Sequence, residues 1–153
     1  MIQNLELKEC IELLGDNYLG HLGYISGKSP FVVPITYFHD AQEKCILSYS
    51  TSGHKIKAMR QYEHVSLQVE NIKTIQEWSS VQVLGTFEEL EGSAAKKYLR
   101  QFSQGVQTTI ERTKNEKPRF ISDFSSRLQE RKMPIVYRIN IHDIIGKIRT
   151  LKK

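Results

Sequence analysis

The chain is 153 residues long, enough for one domain (1–153) with a real core, and its 39% hydrophobic and 25% charged residues are ordinary for a soluble globular protein. No stretch approaches the roughly 20 apolar residues of a membrane span, the two cysteines are too few for a disulfide framework, and no metal-ligand spacing occurs, which leaves a reducing cytoplasm as the expected location. The net charge of +5 attracts anions in general, but the basic residues are spread along the chain with only mild clustering at 112–119, 127–132 and 147–153.

The N-terminus is acidic and amphipathic, unlike a secretory signal. Leu5, Ile11 and Leu14 among charged residues predict a short helix over 5–14, stopped by Gly15-Asp16-Asn17. Residues 18–26 read as a strand in which Gly20 and Gly23 mark a bulge or a close approach of other backbone. After the turn Gly27-Lys28-Ser29-Pro30 comes "FVVPITYF" (31–38), a strand that Pro34 confines to a sheet edge or a bulge. "HDAQEK" turns it into "CILSYS" (45–50), an expected hairpin. A short helix follows over 54–61, with Ile56 and Met59 on one face. The alternation of Val65, Leu67 and Val69 predicts a half-buried strand over 64–70.

Residues 71–77 read as a polar loop, and 78–91 alternate again through Val81, Val83 and Phe87. Gly92-Ser93 opens a helix whose stripe is Ala94, Ala95, Tyr98, Leu99, Phe102, Val106 and Ile110. The polar stretch 111–134 holds a short helix near 122–131, and 135–144 forms a final strand. Six strands with turn signals and no helix–strand alternation predict a mainly β protein. The expected form is an antiparallel six-stranded Greek-key barrel or sandwich with flanking helices.

Chemistry concentrates in "YSTSGHKIKAMRQ" (49–61). A strand ending in Ser50, Thr51 and Ser52, then Gly53, aims backbone N–H groups and the positive end of a helix dipole at one spot, where His54 and Lys55 add donors and charge. Two readings stand: an anion cradle, or an ordinary helix capped by Ser52 with His54, Lys55 and Lys57 in solvent. Pro34-Ile35-Thr36 is either a strand with backbone groups free to meet a flat polar ligand or a protected edge. Trp78-Ser79-Ser80 is either a ligand platform or packing at a strand start. The histidines lack paired spacing, and no nucleophile motif occurs.

Taken in order, "GHLGYISGKSPFVVPITYFHD", "LSYSTSGHKIKAMRQYEHVSLQVE", "WSSVQVLGTFEELEG" and "VYRINIHDIIGKIR" resemble the FMN-binding split-barrel family related to pyridoxamine 5'-phosphate oxidase, nearest its nitroimidazole-resistance reductase branch. The resemblance covers most of the chain except roughly 105–133. It implies a split β-barrel, a homodimer, and FMN at the subunit interface. Pro34, Ile35 and Thr36 would lie along the isoalloxazine and ribityl chain, largely through backbone, and Tyr49 and Ser50 beside the ribityl-phosphate. Thr51, Ser52 and Gly53 would complete the cradle, and His54 and Lys55 stand where the family carries a basic pair that holds the phosphate. Ser79 and Ser80 match strand positions that reach the flavin. His54 replaces the commoner Arg or Lys, which implies weaker phosphate binding at alkaline pH. The family's oxidases also end in a segment bearing tryptophan and arginine, whereas this chain has Trp78 alone and ends in "GKIRTLKK". A flavin reductase acting on a small electron acceptor, with NAD(P)H a candidate donor, is therefore expected rather than a pyridoxamine phosphate oxidase. Two readings stand beside it: a non-catalytic flavin- or haem-holding sensor or storage protein on the same barrel, and a basic nucleic-acid-binding barrel.

Overall fold

The computed structural model describes residues 1–114 and 134–151. The expected helix near 122–131 lies outside them. The described residues form one eight-stranded antiparallel sheet, curled but not closed, with three helices. The strands are β1 (Ile2–Asn4), β2 (Leu19–Ser26), β3 (Ser29–Thr36), β4 (Phe38–Asp40), β5 (Cys45–Ser50), β6 (His64–Thr74), β7 (Glu77–Leu90) and β8 (Ile135–Arg149). The helices are α1 (Leu7–Gly15), α2 (His54–Gln61) and α3 (Gly92–Lys114). The strand order is β3-β2-β6-β7-β8-β5-β4, with β1 on β8. Six of the strands are the expected ones, and the three-residue strands β1 and β4 add to them.

The element boundaries moved for physical reasons. The expected 31–38/45–50 hairpin does not form. β3 ends at Thr36 and pairs with β2, while only the short β4 pairs with β5. The break falls at Tyr37, whose N–H donates to the Tyr18 carbonyl (2.9 Å) and whose buried hydroxyl donates to the Leu14 carbonyl at the end of α1 (2.7 Å). Tying one residue to two other elements takes it out of the strand. The expected loop 71–77 is mostly strand, because β6 and β7 pair as far as Thr74 and Glu77 with a register shift at Ile72/Thr74. β8 runs past 144 to Arg149, pairing with β7 along one edge and with β5 and β1 along the other. Pro34 lies in an edge strand, where a missing N–H removes nothing from the ladder. Gly20 marks a close approach, since a Cβ there would come 2.9 Å from Leu67 Cδ1.

The main core fills the concave side of the sheet. Leu22, Tyr37, Leu67, Val81, Val83, Tyr137 and Ile139 meet Cys10 and Leu14 of α1 and Ile56 and Met59 of α2 there. α3 lays Phe102, Val106 and Ile110 against Cys45 and Leu47 of β5. β5 is therefore buried on both faces, and this fixes where its C-terminal end, Ser50, delivers the chain to α2. Gly105 lets α3 seat on Phe38, since a Cβ there would come 2.3 Å from the ring.

Candidate functional site

The site begins where β5 stops. The Ser50 hydroxyl donates to the Thr51 carbonyl (2.8 Å), turning the chain outward so that Thr51 and Ser52 are exposed. The helix starts one residue later than the capped-helix reading requires. Gly53, not Ser52, is the N-cap of α2, and no side chain caps it. The backbone of Gly53 is extended, with φ 177°, and a methyl group on it would meet nothing within 4 Å. The first N–H groups of α2 have no intrahelical acceptor. The first turn holds no acidic residue.

Lys55 sits on this turn, half-buried because its helical neighbours at i+3 and i+4, Ala58 and Met59, belong to the core. Burial pushes its ammonium below the ordinary lysine range. Among the described residues Lys55 takes part in none of the ion pairs. A desolvated cation with no carboxylate partner, beside unfilled N–H groups, is suited to an anion.

His54 is held from the sheet. The β2–β3 turn at Gly27 (φ +62°) sets a register in which Tyr24 faces Phe31, and the two rings stack at 5.5 Å. His54 leans on both, its ring 4.8 Å from Phe31 and 5.7 Å from Tyr24. The Tyr24 hydroxyl and His54 Nδ1 are 2.9 Å apart. Neither Tyr24 nor Phe31 is a site residue on sequence grounds. Strand parity marks Tyr24 as buried with Leu22, but nothing in the sequence aligns it with a histidine thirty positions later. Beside these rings runs an apolar groove of about 620 Å³, lined among others by Ile25, Phe31, Val32, Tyr62, His64 and Leu84.

The remaining predicted residues divide among three places. Ile35 is buried in the core, while Pro34 and Thr36 alternate with it on the convex face of β3. The Thr36 carbonyl accepts the Ser48 hydroxyl (2.7 Å). The Tyr49 ring turns toward α3 to pack on Phe102 (5.3 Å). Ser79 and Ser80 are successive strand residues and point to opposite faces. A row on the convex face runs Pro34, His21, Gln68, Gln82 across four strands, and Ser80, two residues from Gln82 along β7, lies on the same face. Gln68 donates its amide N–H to the Ser80 hydroxyl (2.9 Å), and its amide oxygen lies 3.2 Å from His21 Nδ1. Three inter-strand spacings and a two-residue offset along β7 separate Pro34 from Ser80, roughly 16 Å. Within one chain the fold thus gathers residues 50–55 beside the free edge of β3, and keeps Ser79 and Ser80 apart from them.

Among the described residues no group of histidine, cysteine, aspartate and glutamate side chains could hold a metal ion, and no helix is long and apolar enough to cross a membrane. Both cysteines are free and buried.

Comparison with known proteins agrees with this architecture. An uncharacterized protein of Rhizobium meliloti (strain 1021) is 32% identical over 89 residues, 58% of this chain and 58% of that protein's length. The crystal structure of a FAD-binding protein from Mesorhizobium loti superposes with a TM-score of 0.75 at 24% identity, covering 98% of each chain. A candidate 5-nitroimidazole antibiotic resistance protein from Bacteroides thetaiotaomicron superposes at 0.69 and 15% identity, covering 97% of this chain and 89% of that one. The sequence profile of the pyridoxamine 5'-phosphate oxidase family matches residues 6–148, nearly the whole chain, and the chain belongs to that family.

Proposed function

We propose that this chain is an FMN-binding oxidoreductase of the flavin-reductase kind. It would act on a small electron acceptor, with the flavin held at the interface of a homodimer. The observation that carries the reading is the uncapped N-terminus of α2, open at Gly53 and flanked by the half-buried, carboxylate-free Lys55. The FAD-binding protein of the same fold from Mesorhizobium loti supports the choice of a flavin.

The residues present fit such a group. The first-turn N–H groups with Thr51, Ser52 and Gly53 would take the phosphate, Lys55 would neutralise it, and His54 would add a side-chain donor. Ser50 and the backbone of Tyr49 would flank the ribityl chain. The free edge of β3 at Pro34, Ile35 and Thr36 would offer backbone groups to the ring system. Bound there, the flavin would take up electrons from a donor such as NAD(P)H and deliver them to the acceptor. The chain itself would bind, orient and exclude water. The Ser80 position, roughly 16 Å from Pro34 on the same face, would serve the flavin of a second copy.

The test is the visible absorption of the purified protein, with the released cofactor identified by mass. A flavin spectrum with the mass of FMN, and reduction by NAD(P)H, is the expected result. A colourless protein that takes up neither FMN, FAD nor riboflavin overturns the reading. Bound flavin that NAD(P)H does not reduce would make the chain a carrier or sensor rather than a reductase.

A further inference from the structure

His54 stands where a permanently charged side chain would be the simpler phosphate ligand, and its surroundings show how it could serve without a charge. A neutral imidazole has one N–H and one bare nitrogen, and the partner of one nitrogen decides which of them keeps the proton. In this structure Nδ1 is 2.9 Å from the Tyr24 hydroxyl. Tyr24 is buried, and its ring is fixed by the stack on Phe31. With the phenol as donor to a bare Nδ1, the ring proton resides on Nε2. Nε2 has no partner among the described residues, and His54 is exposed. Around the ring β2 presents the Tyr24 phenol, β3 the uncharged Phe31, and α2 the neighbouring ammonium groups of Lys55 and Lys57. Among the described residues no carboxylate pairs with His54 to hold it as an imidazolium.

We propose that Tyr24 is a positioning residue: by donating to His54 Nδ1 it keeps a proton on Nε2, so that His54 acts as a neutral N–H donor to the phosphate of the bound flavin. The proposal rests on the flavin reading above. It replaces the expectation that phosphate binding weakens as His54 loses its charge, because the donor persists after the imidazolium is gone.

Two measurements test it. The first is the set of ¹⁵N shifts of the His54 ring in the flavin-free protein at about pH 8, well above the ordinary histidine range. A protonated Nε2 with a bare Nδ1 is expected, and a protonated Nδ1 overturns the proposal. The second is titration of flavin-free protein with FMN and, as a phosphate-free control, riboflavin. Wild-type FMN affinity should change less than about threefold between about pH 7 and about pH 8. Tyr24→Phe should weaken FMN by about three- to tenfold and leave riboflavin unchanged. His54→Gln, whose amide N–H reaches about as far as Nε2, should keep FMN within about threefold, whereas His54→Ala should lose about tenfold. Equal weakening of FMN and riboflavin in Tyr24→Phe would make the residue a packing group only and sink the assignment. FMN bound equally well by wild type and Tyr24→Phe would remove the Tyr24 role while leaving the flavin reading intact. Failure of wild-type protein to bind either flavin would defeat the flavin reading, and this proposal with it.

Discussion

Two short helices pack on the same sheet and are begun in opposite ways. α1 opens with Glu6 and Glu9, and the Glu9 carboxylate accepts the Glu6 backbone N–H (3.3 Å), with acid in the first turn where the dipole favours it. α2 opens on a glycine, with no side-chain cap, no acid, and the two basic-type residues His54 and Lys55 in its first turn. Residues of that kind at a helix N-terminus oppose the dipole. The first helix is built for its own stability. The second leaves its N-terminal backbone donors without a side-chain cap and places His54 and Lys55 beside them.

Substitutions that exchange these characters can break the comparison. The largest effect is expected beneath α1. A Cβ at Gly146 would fall 2.4 Å from Cys10 Sγ and 2.9 Å from Leu5 Cβ, so Gly146→Ala should push α1 off β8 and destabilise the fold by about 2–3 kcal/mol, read as a lowered Tm. Lys55→Ala should weaken FMN by about 1.5–3 kcal/mol while leaving the flavin-free Tm unchanged or raised. An unchanged flavin affinity would return Lys55 to an ordinary surface role. Glu9→Ala should cost about 0.5–1 kcal/mol of stability with no change in flavin binding, the mirror image of Lys55→Ala. The smallest effect belongs to Gly53→Ser. The backbone there is extended and open, so a serine should cap α2, raise flavin-free stability by a few tenths of a kcal/mol and compete with the phosphate. Tighter FMN binding in that variant would show that the N–H groups are not the phosphate site.

Acid and base sharpen the same contrast. Burial lowers the Lys55 pKa in the folded state, so between that value and the unfolded lysine value of 10.5 the unfolded chain holds more protons. The Lys55 contribution to flavin-free stability should therefore improve as pH rises through this window, and Lys55→Met should abolish the slope. Bound phosphate favours the charged ammonium and should reverse it.

What the sequence disclosed follows from where burial writes a pattern. Val65, Leu67 and Val69 in β6 and Val81, Val83 and Phe87 in β7 are buried on one face and alternate, so both strands are legible; Phe102, Val106 and Ile110 mark α3 equally well. Pro34 announced an edge. β1 is exposed at all three residues and exists through its backbone pairing to β8, so no side-chain periodicity could reveal it. Asn71, Ile72, Lys73 and Thr74 are likewise exposed, which is why a strand end resembled a loop. The run from Ser50 to Lys55 is contiguous, so the sequence presents it as one unit. The Tyr24–His54 contact and the turning of Tyr49 toward α3 depend on strand register and helix docking, which a linear pattern does not encode.

The two-sided pairing of β8 governs the order in which the molecule can be assembled. β5 and β4 join the rest of the sheet only through β8, and Ser50, the last residue of β5, pairs with Ile135. Residues 50–55 are thus written about a third of the way along the sequence, yet their support is written in the last strand. Such long-range closure is slow, because the chain must be brought together over many residues before any contact rewards it. During synthesis residues 50–55 emerge early and remain without a fixed place until residues 135–149 insert between β7 and β5. Ligand capture at the cradle would then act late, selecting chains whose sheet has already been completed.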